Sequence, residues 1–237
     1  MSPKITTAHE QGQRGRILGA ATRCFAERGF HEATIQDICD LAGLSKGGLY
    51  TYFKSKEEIL SALIRESFAA GLGRAQEAAR SGHGAIDKLQ RIAEAVVGGA
   101  GPQSPQLLLE IWAIASKNPS LVALYADGYD QWREFLAGLL REGIAEGVFK
   151  ADVDPEAVVM VVLAVFGGVT LQEGLTGRSV DWRRVLEALG RGLTEGIVTE
   201  ETTARVAGDS TGRVAGDSTG RVTSDATGRI RGEIAGT

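Results

Sequence analysis

Residues 34–56 constrain this chain more than any other stretch, because two short helical patterns meet there at a single glycine and a third begins soon after. Ile35, Ile38 and Leu41/Ala42 recur three or four residues apart, which places them on one helical face. Thr34 can cap the first turn, with Asp37 in the reciprocal position three residues on. Gly43 follows the last periodic residue, where the backbone turns through a left-handed conformation that glycine adopts at no steric cost. Leu44 closes the corner, and Ser45 caps a second helix whose Leu49 and Phe53 point back at the first. This is the pattern of a helix-turn-helix, whose second helix offers its outer face to the major groove of DNA.

The composition of that outer face agrees. Ser45, Lys46, Gly47, Gly48, Tyr50, Thr51 and Tyr52 are small, polar or hydroxyl-bearing, a poor set for a core and a good one for phosphates and base edges. Each of two adjacent helical glycines costs roughly 1 kcal/mol relative to alanine. Close approach of the backbone to a ligand is a physical reason to accept that cost. Ser55 and Glu58 form a second capping box, which sets Lys56 at a helix N-terminus whose N–H groups also favour a phosphate.

Residues 43–60, within a match that extends from Arg16, resemble the DNA-binding domain of TetR-type transcriptional regulators. The resemblance implies that Thr34, Gln36, Lys46, Gly47, Gly48, Tyr50, Thr51, Tyr52 and Lys56 face DNA. It also implies that Tyr50, Tyr52 and Lys56 meet the phosphate backbone.

Charge bears on how such a head would bind. The chain is net −4, yet residues 1–60 carry eight Lys/Arg against seven Asp/Glu, and the acidity lies beyond them. A head so mildly basic depends on the placement of Arg14, Arg16, Lys46, Lys54 and Lys56, and on two copies acting together. One copy alone is expected to bind DNA weakly, with modest salt dependence. Cys24 and Cys39 fall on apolar faces and read as small buried hydrophobes in a reducing cytosol. His9, His31 and His83 form no ligand spacing with them, so neither a metal nor a cofactor is expected. The N-terminus lacks the apolar run of a secretory signal, and a cytoplasmic protein is the expectation.

No segment alternates as a strand does, so the expected fold is all-α. An N-terminal three-helix helix-turn-helix domain is followed by a C-terminal helical domain for ligand binding and dimerisation. Residues 1–12 read as a flexible arm, in which Lys4 either touches phosphate or simply frays. Residues 13–56 read as the DNA-binding domain, 57–200 as the helical domain and 201–237 as a tail. The first helix runs from about Gln13 to Arg28, with Ile17, Ala20/Ala21 and Cys24/Phe25 inward and Gly29 as its stop. Ser55 opens a long helix toward Arg80, with Ile59/Leu60, Leu63/Ile64 and Phe68 as its inner stripe, and this helix links the domains. Helices follow at about 85–98, 104–117, 119–147, 155–174 and 181–198. Glycine and proline mark the breaks, at 98–102, Asn118-Pro119, Gly147 and Asp154-Pro155 among them.

Most of the aromatic residues beyond the head gather around the 119–147 helix, and two readings of them stay open. One is a plain helical core. The other is an apolar cavity lined by Leu108, Trp112, Tyr125, Tyr129, Trp132 and Phe166, whose hydroxyl and indole groups orient a small-molecule effector. Glu110, Asp130 and Glu134 on the same helices favour a cationic guest or else form a solvated face.

Residues 158–169 are apolar around the whole helix circumference, but a dozen residues fall short of the roughly 20 that span a bilayer, so no membrane partner is expected. A helix buried all round needs two partners. Gly167-Gly168 admits close approach of another helix, and the 181–198 helix adds its own apolar stripe. Val162, Val165 and Val169 with Leu186, Leu189 and Leu193 make an isologous four-helix homodimer interface. The TetR resemblance implies dimerisation through the last two helices as well.

In the tail, residues 205–212 recur as 213–220 and drift through 221–236. Each unit holds too little apolar surface to offset ordering of roughly 1–2 kcal/mol per residue, so disorder is expected over a small β-type stack.

Three functions compete. A ligand-responsive repressor sets two heads ~34–36 Å apart on a palindromic double-stranded operator. A small molecule then displaces the helices around 104–135, the long helix pivots and the spacing is lost. A ligand-independent regulator, activator or architectural binder keeps the head and discards the pocket. A helical enzyme or carrier has no supporting chemistry, since the chain holds no HExxH, no P-loop, no Gly-x-Ser-x-Gly and no Ser/His/Asp set. Catalytic residues are therefore not expected.

Overall fold

The computed structural model describes residues 7–98 and 105–203. Lys4, most of the break at 98–102 and the octapeptide repeats lie outside the described residues. Within them the protein is all-α, as expected, with nine helices and no strand. They are α1 (Thr7–Glu32), α2 (Ile35–Ala42), α3 (Lys46–Tyr50), α4 (Lys56–Arg80), α5 (Gly84–Gly98), α6 (Pro105–Ala115), α7 (Pro119–Ala145), α8 (Pro155–Thr176) and α9 (Trp182–Ile197).

The first helix departs from expectation at both ends. It begins at Thr7 rather than near Gln13, which shortens the arm read over 1–12. The added residues His9, Glu10 and Gln11 are exposed. Alanine, glutamate and glutamine extend a helix at little cost once a buried stripe behind them has nucleated it. At the other end Gly29 interrupts the helix at φ 78 and ψ 163, and a further turn follows to Glu32.

Local signals explain most of the other boundaries. Thr34 Oγ1 accepts the Asp37 N–H, and the Asp37 carboxylate returns to the Thr34 backbone, completing the capping box. Gly43 sits at φ 65 and ψ 42, the left-handed cap that α2 requires. Asn118 and Asp154 cap α7 and α8, each with proline at the first helical position.

Ile17, Phe25, Ile38, Leu49, Phe53, Ile59 and Leu60 are all but inaccessible and form the core of the head. Each buried side chain of this size contributes about 1.5–3 kcal/mol. The same cluster continues through Ile111 and Ala115 of α6 and Leu121 of α7, so packing runs across the boundary read at residue 56. A second cluster joins Ala75 and Ala79 of α4 to Ile92, Leu136, Leu140, Phe149, Val159 and Val198. Phe149 bridges Val198, and the Lys150 N–H donates to the Ile197 carbonyl at 2.8 Å, which pins the end of α9 to the α7–α8 turn. The first compact unit ends at Val198 and a second begins at Thr199, where residues 200–203 are helical.

α8 is longer than the run at 158–169 implied. It has 22 residues with a mean hydropathy of 1.9 over its most apolar window, enough by length and composition to cross a membrane. Its only buried residues are Val159 and Gly174, so one copy of the chain leaves most of this apolar surface uncovered.

Candidate nucleic-acid interface

The turn between α2 and α3 is held from three sides. Leu44 N–H donates to the Cys39 carbonyl at 3.0 Å, and Ser45 Oγ accepts the Gly48 N–H at 3.1 Å. Arg16 reaches across from α1 and donates to the Ala42 carbonyl at 2.7 Å, a carbonyl at the open end of α2. Arg28 pairs with Asp37 at 2.7 Å, joining the end of α1 to the start of α2. Hydrogen bonds from the Thr34 hydroxyl and backbone, and then the Arg28 charge, hold the Asp37 carboxyl below its ordinary range.

The face opposite this bracing is open. Thr34, Gln36, Ser45, Lys46, Gly47 and Thr51 are exposed, and Tyr50 keeps 50% of its surface. The Gln36 amide donates to Asp40 Oδ1 at 2.7 Å, and the Thr51 hydroxyl to the Gly47 carbonyl at 3.0 Å. A Cβ placed on Gly47 would meet nothing nearer than Ser45 Oγ at 4.0 Å, and on Gly48 nothing nearer than the same atom at 3.4 Å. Neither glycine has a positive φ. The fold itself therefore does not require glycine at either position.

Two residues assigned to this face belong elsewhere. Tyr52 is half-buried, its ring packed on the head core, because the helix ends at Tyr50 and the turn behind it swings residue 52 inward. Lys56 points back into the protein. Its ammonium donates to the carbonyls of Phe30 at 2.5 Å, Ala33 at 2.7 Å and His31 at 3.1 Å, and sits 4.5 Å from the centre of the Phe30 ring. Arg14 likewise lies over Phe53, 4.4 Å from the ring centre. Of the five basic side chains read as contacts, Lys46 and Lys54 are those left exposed without such an internal partner.

The aromatic cluster forms between α4, α6 and α7. Phe68 meets Tyr125 and Tyr129 edge-on at 5.5 Å each, and Tyr125 and Tyr129 are 6.4 Å apart. Burial pushes the Tyr125 hydroxyl up to about 12, aided by Tyr129 and opposed by a hydrogen bond from the Trp112 indole. Leu108 and Trp112 are half-buried on α6. Trp132 packs against Gly71 of α4, in the second core cluster. Phe166 does not join this group, since it stacks on Trp182 of α9 at 5.2 Å. Phe68, read only as part of a core stripe, takes the central place.

On α8 the apolar surface most open to solvent is Met160, Val161, Leu171 and Leu175. Val162, Val165 and Val169, where the interface was read, lie beside that stripe and are half-buried. Leu186, Leu189 and Leu193 are half-buried on α9, a helix with no fully buried side chain among its described residues.

A helix-turn-helix head with an open α3, packed against a helical body, defines a DNA-binding transcriptional regulator rather than an enzyme. The pattern described as bacterial regulatory proteins, tetR family, matches residues 17–63, and that of the BetI-type transcriptional repressor C-terminal domain matches residues 85–198. The regulator UidR of Escherichia coli is 30% identical over 159 residues, covering 67% of this chain and 80% of UidR. GusR of Salmonella enterica superposes with a TM-score of 0.64 at 31% identity, covering 81% of this chain and 99% of GusR. A Saccharomonospora viridis protein solved in complex with choline gives a TM-score of 0.67 at 28% identity, over 80% and 100% of the two chains. The chain belongs to the TetR family of transcriptional regulators.

Proposed function

We propose that this regulator is a homodimeric repressor that holds a palindromic operator through Thr34, Gln36, Ser45, Lys46, Gly47, Gly48, Tyr50 and Thr51. It acts in the cytoplasm and is released by a small molecule. The observation that carries the DNA contact is the glycine pair at 47–48. Both residues are helical, both cost stability, and a Cβ at either one would make no more than ordinary contact with the protein, 4.0 Å at Gly47 and 3.4 Å at Gly48. A partner that comes close to the backbone accounts for them. Lys46 and Tyr50 flank that opening with a charge and an exposed ring for phosphates.

The uncovered stripe of α8 and the half-buried leucines of α9 support the dimer, because a second copy of the same two helices buries both. That cover also accounts for α8's length and hydropathy without a membrane. Two heads in fixed register compensate for a head of so little net charge.

The effector enters beside Leu108, Trp112, Tyr125 and Tyr129. The grouped rings of Trp112, Tyr125 and Tyr129 suit a quaternary ammonium compound, and the choline-bound relative supports that class. The test is fluorescence anisotropy at physiological salt, with a fragment from upstream of the gene and a random fragment of equal length. Preference for the upstream fragment, abolished by choline or a related quaternary amine, is expected. Equal binding of both fragments overturns the reading.

A further inference from the structure

One carboxylate ties helix α6 to the head. Glu110 Oε1 accepts the backbone N–H of Phe30 at 2.8 Å and of His31 at 3.3 Å. These donors follow the break at Gly29, where the helical ladder is interrupted. A Cβ on Gly29 would stand 3.1 Å from Glu110 Oε2 and 3.3 Å from Oε1, and φ 78 is a conformation that side-chain-bearing residues avoid. Glycine is needed here, in contrast to positions 47 and 48.

Lys56 holds the same turn from its other end. Its ammonium takes the carbonyls of Phe30, His31 and Ala33, and it is the first residue of α4. An anion at exposed N–H groups and a cation at exposed carbonyls each sit where the peptide dipoles favour them. Residues 30–33 are thus clamped between α6 and the start of α4. Two residues along α6 from Glu110, Trp112 brings its indole to the Tyr125 hydroxyl in the aromatic cluster. The helix therefore runs from that cluster to the head, where Glu110 ties it down.

We propose that Glu110 is a positioning residue that transmits displacement of α6 to the DNA-reading head. The proposal rests on the effector-released repressor reading and assigns its regulation to one side chain. The carboxylate is a directed polar link between α6 and the head, set among apolar packing that slides more readily than a hydrogen bond of fixed direction.

The test uses the full chain with Glu110→Ala and Glu110→Gln, anisotropy on the upstream and random fragments, and amide hydrogen exchange of the unbound protein. Glu110→Ala lowers affinity for the upstream fragment roughly 5- to 150-fold, the usual range of coupling between sites. It leaves random-fragment binding and its salt dependence as in the wild type, because each head keeps its phosphate contacts. Glu110→Gln keeps an acceptor oxygen and restores most of the affinity. Exchange quickens at Phe30, His31 and along α6, while Leu44 and Leu49 stay protected. Unchanged upstream affinity overturns the proposal. So does quickened exchange at Leu44 and Leu49 with loss of random binding, which would make Glu110 a prop for the head's folding. If the wild type fails to prefer the upstream fragment, the repressor reading falls, and exchange alone then decides. Quickening in both α6 and residues 30–33 keeps the link, and quickening confined to 30–33 removes it.

Discussion

The ring of Phe68 on α4 lies directly on the backbone of Gly128 on α7, so that a Cβ built at Gly128 comes within 2.5 Å of the ring. Close approach of the two helices at this point depends on the missing side chain. Gly128→Ala is therefore expected to destabilise the protein by about 1–3 kcal/mol through overpacking. Urea unfolding checks it, with a lower midpoint and an unchanged slope. A midpoint at or above the wild type would mean that α4 and α7 part freely here.

Gly47→Ala is expected to do the opposite. Alanine in an open helical position gains about 0.5–1 kcal/mol over glycine, and no atom of the protein obstructs the new methyl. The variant is expected to be as stable as the wild type or more so, and to bind upstream DNA more weakly. Thermal melts and anisotropy on one preparation decide it. Full affinity would remove the argument that DNA backbone approaches residues 47–48.

The two lysines that open α3 and α4 are expected to separate cleanly. Lys56→Ala leaves three carbonyls of residues 30–33 without their charged donor and costs stability. Lys46→Ala leaves stability untouched, since the side chain is exposed, and weakens DNA binding instead. If it contacts phosphate, the salt slope falls by about one unit. Chemical denaturation of both variants beside salt titrations of DNA binding checks the contrast. A stable Lys56→Ala variant with a reduced salt slope would return Lys56 to the DNA face.

Helix boundaries were legible wherever the signal was local. Thr34 with Asp37, Ser55 with Glu58, and the Asn118-Pro119 and Asp154-Pro155 pairs act within three residues, and sequence displays them directly. The exposed face of α3 was legible for the same reason. What sequence did not display is long-range. Lys56 looked like a phosphate ligand because it opens a helix and the TetR resemblance sets it on DNA, but the carbonyls it holds come from residues 23 to 26 positions earlier. Glu110 looked like a solvated or ligand-facing charge, and its partners lie 80 and 79 positions away. Phe166 left the aromatic cluster to stack on Trp182, the first residue of α9 and 16 positions away in sequence. Each of these errors concerns a side chain whose partner is set by tertiary packing.

Charge placed on the uncovered stripe is expected to separate the two copies. Leu175 is 70% exposed and Leu189 half-buried, so neither supports the fold of one protomer strongly. Leu175→Asp and Leu189→Asp are expected to leave helix content unchanged and to halve the mass seen by light scattering. Upstream DNA affinity falls with it, because the paired heads lose their register. A dimer that survives both changes would place the interface on another surface.

Tyr125 offers a test of whether water reaches the aromatic cluster. Its hydroxyl ordinarily ionises near 10 and is raised in the fold to about 12, burial being the main cause. The folded state thus keeps the neutral form over a range in which the unfolded chain has lost its proton. The associated stability is fully present below pH 10 and is lost as the pH rises from 10 towards 12, amounting to about 2–3 kcal/mol. Tyr129 is raised by burial too and adds in the same direction. Tyr125→Phe cannot ionise, so the larger part of this alkaline loss is expected to vanish, while the Trp112 indole loses its acceptor and stability at neutral pH drops by about 1–3 kcal/mol. Urea midpoints at about pH 9, 10 and 11, roughly one unit to either side of the unfolded value, separate the two effects. Variant and wild type falling in parallel above pH 10 would mean that Tyr125 is solvated in the fold. The cluster would then already be open to a guest, and Phe68 would not seal it.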